Sequence, residues 1–148
     1  MGNNIKTIDN NMVAYINRNN TFVVEINGEE VKNEKDWLYI MAEKFHFPVF
    51  LEEEKMVVEW FDGAYGYSRN YFMNWERYED WLTDLSWVKQ NSIILIIKNY
   101  SKLLIEYSES KEYIMNNFKN VILPWWEKDV VMYMVGGRKR DFNIYLIA

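Results

Sequence analysis

The chain has 148 residues and carries 17 Lys and Arg against 22 Asp and Glu, for a formal net charge of −5. That balance speaks against holding nucleic acid through its phosphates and suits a basic protein partner. With no cysteine at all, disulfides, thiol catalysis and cysteine-based zinc sites are excluded, as fits a reducing compartment.

Hydrophobic content of 49 % and aromatic content of 18 % argue against disorder and for a sizeable core. The length suits one domain over residues 1–148, with 1–20 as an N-terminal extension. Residues 1–11 hold no apolar segment of the kind a secretory signal needs. The longest aliphatic run, Ile93-Ile94-Leu95-Ile96-Ile97, is far too short to cross a bilayer, so the sequence reads as a soluble cytoplasmic protein.

Within the Asn-rich first 20 residues, Met12-Val13-Ala14-Tyr15-Ile16 reads as an added edge strand. Thr21-Phe22-Val23-Val24-Glu25-Ile26 is β-branched and aromatic, a strand pattern. Asn27-Gly28 closes it, either as a plain turn or as a hairpin onto Glu30-Val31-Lys32. From Glu34 to Phe45 the period becomes helical, with Trp37, Ile40, Met41, Lys44 and Phe45 recurring at threes and fours, and Pro48 stops that helix. In the 49–70 stretch, Glu52-Glu53-Glu54 is an acidic run, Met56 to Phe61 is strand-like, and Asp62-Gly63 and Gly66 mark turns.

The most informative stretch is Asn74-Trp75-Glu76-Arg77-Tyr78-Glu79-Asp80-Trp81-Leu82-Thr83-Asp84-Leu85. At 100° per residue, Trp75, Tyr78, Leu82 and Leu85 share one side, and Glu76, Asp80, Thr83 and Asp84 the other. Asn74 stands at the N-cap, and Glu76 and Glu79 follow where the helix dipole favours carboxylates.

Ser92 to Ile97 has the composition of a strand buried on both faces. Asn99 is placed to cap a short helix carrying Leu103, Leu104 and Ile105. A further helix begins near Ser108 or Ser110, with Tyr113, Ile114, Asn117, Phe118 and Val121 as its periodic positions. Pro124 is expected to end or kink it. Trp125 and Trp126 are adjacent, so one of them is expected to be partly exposed. Val130 to Val135 is strand-like, Gly136-Gly137-Arg138-Lys139-Arg140 reads as a solvated loop, and Phe142 to Ile147 as a final strand. Strands alternating with helices imply an α/β layer architecture with a mainly parallel sheet.

Several of these words, in this order, resemble the barstar family of intracellular inhibitors of barnase-type ribonucleases. They are Ile26-Asn27-Gly28-Glu29, Phe45-His46-Phe47-Pro48, Tyr71-Phe72-Met73-Asn74-Trp75-Glu76, Asp80 to Leu85 with Trp87, Ile93 to Asn99 with Leu103-Leu104, and Phe142 to Leu146. Together they span roughly residues 21–147. The resemblance implies a barstar-like fold, a three-stranded mainly parallel sheet packed against helices. Here it would be joined by the N-terminal extension, an insertion near 49–70 and extra edge strands. It also implies a function: plugging the active-site cleft of a toxic ribonuclease with acids of one helix and the loop before it. The family's two inhibitory carboxylates fall on Glu76 and Asp80, its loop aromatic near Asn70 or Tyr71, and its helix-start Asn on Asn74. Thr83, Asp84 and Trp87 complete the candidate partner-binding set. The chain departs from the family where Phe72 or a one-residue gap replaces a loop glycine, where Glu79 replaces an aromatic, and where 125–141 is lengthened.

The chemistry is consistent with that implication. A ribonuclease cleft gathers Lys, Arg and His around phosphates, and carboxylates on a rigid helix can stand in for phosphates and accept bidentate Arg bonds. Glu76 and Asp80, four apart, lie on adjacent turns roughly 6 Å apart. The bland alternative is a solvated helix face; the runner-up function is a barstar-fold adaptor or oligomer subunit holding another basic partner. His46 is the only histidine and has no neighbours at metal-ligand spacing, so it reads as structural. No nucleophile triad, phosphate-binding glycine loop or GxSxG word occurs. An enzyme is not expected, nor a cofactor or metal, and the chain is expected to be a monomer.

Overall fold

The computed structural model describes residues 2–47 and 74–148. The expected 49–70 insertion, the strand-like Met56 to Phe61, the acidic Glu52 to Glu54, the Pro48 stop, and the loop residues Asn70 and Tyr71 lie outside them. Four strands form one all-parallel sheet: β1 (Ile5–Thr7), β2 (Thr21–Asn27), β3 (Ser92–Lys98) and β4 (Asp141–Leu146), in the spatial order β1-β4-β3-β2. Four principal helical segments accompany it: α1 (Glu34–Lys44), α2 (Trp75–Leu82), α3 (Ser108–Asn117) and α4 (Val130–Tyr133).

Among the described residues the sheet thus has an extra edge strand beside the three that the resemblance implies. β2, β3 and β4 stand side by side in chain order, with Val24 opposite Leu95 and Leu95 opposite Ile144. The fourth comes from the N-terminal extension, but not from the expected residues. Ile5–Thr7 pairs with β4, while Asn10–Tyr15 winds into a 3-10 turn that lays Val13 and Ile16 against Ile94, Ile96 and Ile147. The extension thus covers the sheet face opposite the helices, which is why β3 can be apolar throughout. Residues Ile93 to Ile97 are all buried, alternate ones facing the helices or the extension. Asn3 fixes the extension in place: its side chain donates to the Leu123 and Arg140 carbonyls and accepts from the Phe142 N–H. The outer edge is only three residues long and carries Lys6, which makes a poor template for further strands.

On the helical face, Val24, Ile26, Ile93, Leu95, Ile97, Phe142, Ile144 and Leu146 meet Trp37, Met41, Phe45, Tyr78, Leu82 and Phe118. Burial of each of the larger side chains contributes on the order of 2 kcal/mol. Helix α1 is capped by Asn33, whose side chain accepts from the Asp36 N–H, while Asp36 accepts in return from the Lys32 N–H. It ends at His46, which adopts φ +57°. The His46 N–H then reaches the Glu43 carbonyl and the Phe47 N–H the Ala42 carbonyl, the paired closing bonds of a left-handed helix cap. The structural role expected of His46 is thus a backbone one, with its ring edge against Phe22.

Asn27-Gly28 makes a turn, not a hairpin: Gly28–Glu30 is one 3-10 turn. A β-carbon on Gly28 would lie 2.4 Å from the Asn99 carbonyl oxygen, so only glycine lets the loops after β2 and β3 come this close. Asn99 does not cap a helix. It sits in the left-handed region at φ +52°, donates to the Asn27 side chain, and only a 3-10 turn, Tyr100–Lys102, follows. Leu103 and Leu104 are buried, but Ile105 points to solvent.

Pro124 neither ends nor sharply breaks its helix. Beyond α3 the helical backbone continues through two π-helical turns, Phe118–Ile122 and Trp125–Asp129, into α4. The reason lies in the spacing of the inward side chains. Ile114, Phe118, Ile122, Trp126 and Val130 are all buried and recur every four residues. A helix of 3.6 residues per turn would carry that stripe off the core, and wider turns keep it in register. Val130 to Val135, expected as a strand, is therefore the helix end and a following turn, and Val121 is left partly exposed.

Candidate functional site

Helix α2 is only two turns long, and three things hold it. Asn74 accepts from the Arg77 N–H at 2.8 Å, as its N-cap position foretold. Tyr78 and Leu82, with Leu85 just beyond, are buried in the core. Trp75 is half-buried rather than central: its ring packs edge-on against Tyr78 and Tyr113, and its indole N–H donates to Glu34. Burial pushes the Tyr78 phenol well above the usual tyrosine range. The nearby Trp37 indole N–H acts in the other direction, without the geometry of a hydrogen bond.

The opposite face carries Glu76 and Asp80, four apart, and Asp84 continues it two residues past the helix end; all three are exposed. With Arg77 and the edge of Trp81 they line a surface depression of about 340 Å³. No described residue forms an ion pair with any of these three carboxylates. Below them Phe47, Trp81 and Trp87 form a three-ring cluster, with Trp81 and Trp87 centroids 5.7 Å apart and Phe47 about equally distant from both. Trp87 is fixed by a 2.8 Å bond from its indole N–H to the Phe45 carbonyl. That packing gives the acidic face a stiff foundation.

The expected set is thus brought together only in part. Glu76, Asp80 and Asp84 share one exposed surface. Thr83 is half-buried, and its hydroxyl donates back to the Glu79 carbonyl at 2.8 Å, so its donor is turned to its own helix. Trp87 underlies the face more than it presents itself. Asn70 and Tyr71 fall outside the described residues. Glu79, between the acids, has a structural partner: it accepts from the Asn117 side chain at 2.8 Å and joins α2 to α3.

The sequence reading missed Arg140. Arg138 and Lys139 are exposed, as a solvated turn requires, but Arg140 is only 6 % exposed. Its guanidinium donates to the Leu85 carbonyl at 3.0 Å and lies over the Trp126 ring at 4.8 Å. Desolvation lowers its pKa, the neighbouring Arg138 adds to that, and Asp84 opposes it. A signal was present: Arg140 is in two-residue phase with Phe142, Ile144 and Leu146, the buried side of β4.

Among the described residues no helix is long and apolar enough to cross a membrane, and no group of three or more His, Cys, Asp or Glu is placed to hold a metal. No protein-family model, curated protein or solved structure matches the chain.

Proposed function

We propose that this chain is a barstar-like inhibitor, an immunity protein that blocks the active site of a basic ribonuclease-type toxin in the cytoplasm. The observation that carries the reading is the exposed pair Glu76 and Asp80 on one face of α2, with which no described residue forms an ion pair, extended by Asp84 just past the helix end and mounted on a packed aromatic base. A phosphate-binding cleft offers converging cations, and Glu76 and Asp80 supply charge-assisted acceptors at fixed spacing. Because the helix is held before binding, little conformational freedom is lost on complex formation. Three parallel strands adjacent in chain order, with α2 leading into the central one, also accord with the family resemblance. In this reading the chain is not an enzyme, takes no cofactor and contacts protein rather than nucleic acid.

The test is co-expression with the cognate toxin, sought first as a small basic nuclease-like protein encoded in the neighbouring reading frame. Wild type protects the cell, and Asp80→Arg abolishes protection while leaving thermal stability unchanged, since Asp80 is exposed. Full protection by Asp80→Arg would remove the central claim.

A further inference from the structure

Five consecutive apolar side chains at the end of the long helical segment face solvent: Val131, Met132, Tyr133, Met134 and Val135, with Met132 71 %, Tyr133 73 % and Val135 fully exposed. The wet side of a surface helix is ordinarily polar, and this run is the reverse. It is also held in place. The Met134 N–H donates to the Val130 carbonyl, the Gly137 N–H donates to the Met134 carbonyl, and Gly136 takes φ +74° to close the turn. Together the five side chains offer on the order of 600 Å² of apolar surface, the upper end of what a soluble monomer shows, where patches are commonly contact sites.

Beside this ridge lies a groove of about 470 Å³, which Met134 and Val135 share with Trp125 and Val130. Its rim carries both signs of charge. Asp84 and Arg138 line it, both are exposed, and neither has an ion-pair partner among the described residues. The buried Arg140 at the groove already has Asp84 acting on it, so the unmet demand is at the rim. A body that covers this surface must be apolar and must bring a cation to Asp84 and an anion to Arg138. A second copy of the chain brings all three. An anionic lipid surface would be drawn to Arg138 but repelled by Asp84, and by Glu76 and Asp80 in the adjoining depression.

We propose that this surface is the interface of a two-fold symmetric dimer of the chain. Met132, Tyr133 and Val135 of each copy pack on the partner's groove, and Arg138 of each copy pairs with the partner's Asp84. A two-fold contact makes that pair twice. The two copies bury about 1,200 Å² of apolar surface, the lower bound for a specific interface, so the dimer is weak, with a Kd on the order of 10 µM. The monomer expected from the sequence is then the dilute form of an equilibrium. The contact engages Asp84 but not Glu76 or Asp80, which lie outside the groove.

Sedimentation velocity of the full chain from about 1 µM to about 500 µM tests this, and wild type is expected to pass from monomer to dimer across that range. Val135→Glu alters a fully exposed side chain and so leaves the fold of the monomer intact. It is expected to weaken the dimer about tenfold or more, because each contact then buries a carboxylate against apolar groups. Asp84→Arg and Arg138→Asp each set like charges face to face and are expected to stay monomeric alone. Mixed one to one they are expected to form the mixed dimer, in which Arg meets Asp at both places. Circular dichroism checks the fold of every variant, and where Asp84→Arg fails to fold, Val135→Glu decides. The proposal is overturned if wild type stays monomeric throughout, if it grows into a series of larger species, if Val135→Glu associates as wild type does, or if the two folded charge variants remain apart when mixed. A monomeric wild type that floats with phosphatidylglycerol vesicles, and loses this in Val135→Glu, would assign the patch to a lipid surface and equally overturn it.

Discussion

Asn74→Ala isolates the contribution of one side chain to the helix that carries the acidic face. In α2 the first intrahelical bond runs from the Tyr78 N–H to the Asn74 carbonyl, leaving the amides of residues 75–77 without acceptors inside the helix. Asn74 satisfies one of them, that of Arg77, at 2.8 Å. An eight-residue helix is too short to persist by propensity, so a cap is a large share of what orders its first turn. Losing the cap bond costs about 1 kcal/mol. For a chain of this length that lowers Tm by about 2–4 °C and raises the open population at the Arg77 amide roughly fivefold. Asn74→Asp keeps the acceptor and places a negative charge at the positive end of the helix dipole, so it should remain within about 0.5 kcal/mol of wild type. Thermal denaturation and amide hydrogen exchange measure both variants. If Asn74→Ala matches Asn74→Asp in Tm and the Arg77 amide keeps its protection, the cap contributes nothing and Tyr78 and Leu82 alone hold the helix. Where partner affinity can be read, the loss in Asn74→Ala falls on Glu76, in the frayed turn, more than on Asp80.

Two further substitutions test the backbone. Gly28→Ala drives a β-carbon against the Asn99 carbonyl and the Leu103 side chain and should destabilise by about 2 kcal/mol, a Tm loss of roughly 4–8 °C; an unchanged melting curve would show that the loops can part freely. His46→Gly removes a side chain from the left-handed region and should raise Tm by about 2–4 °C. A fall instead would mean that the ring contact with Phe22 outweighs the backbone strain.

Where one residue type and one period agreed, the sequence was easy to read. β2 and β3 are β-branched runs bounded by polar residues, and α1 and α2 combine an Asn cap with a helical apolar stripe. The acidic face of α2 follows from the same stripe, because its polar side is what remains. The errors arose where local preference yielded to tertiary demands. Met12 to Ile16 has strand composition, yet its apolar groups serve as a cover for Ile94 and Ile96. Ile5-Lys6-Thr7, which does pair, is too short to show a period. Val130 to Val135 is β-branched, but Val130 belongs to the four-residue stripe begun at Ile114, and a search at 3.6 residues loses that stripe after Phe118. Arg140 was hidden by its neighbours: two exposed cations made a third look solvated, although strand phase had already assigned it to the interior.

The parallel union of β1 with β4 has a consequence for biogenesis. Asn4 donates its N–H to the Asn143 side chain across 139 residues, and Ile5 lies opposite Ile144. At ordinary rates of translation that interval is on the order of ten seconds. Throughout it the first strand lacks the β4 edge that it joins, whereas β2 and β3 are both complete once residue 98 has been added. The N-terminal segment is thus the last piece of the sheet to dock, a clasp that closes only when β4 has arrived, and its ordering reports that the sheet is complete.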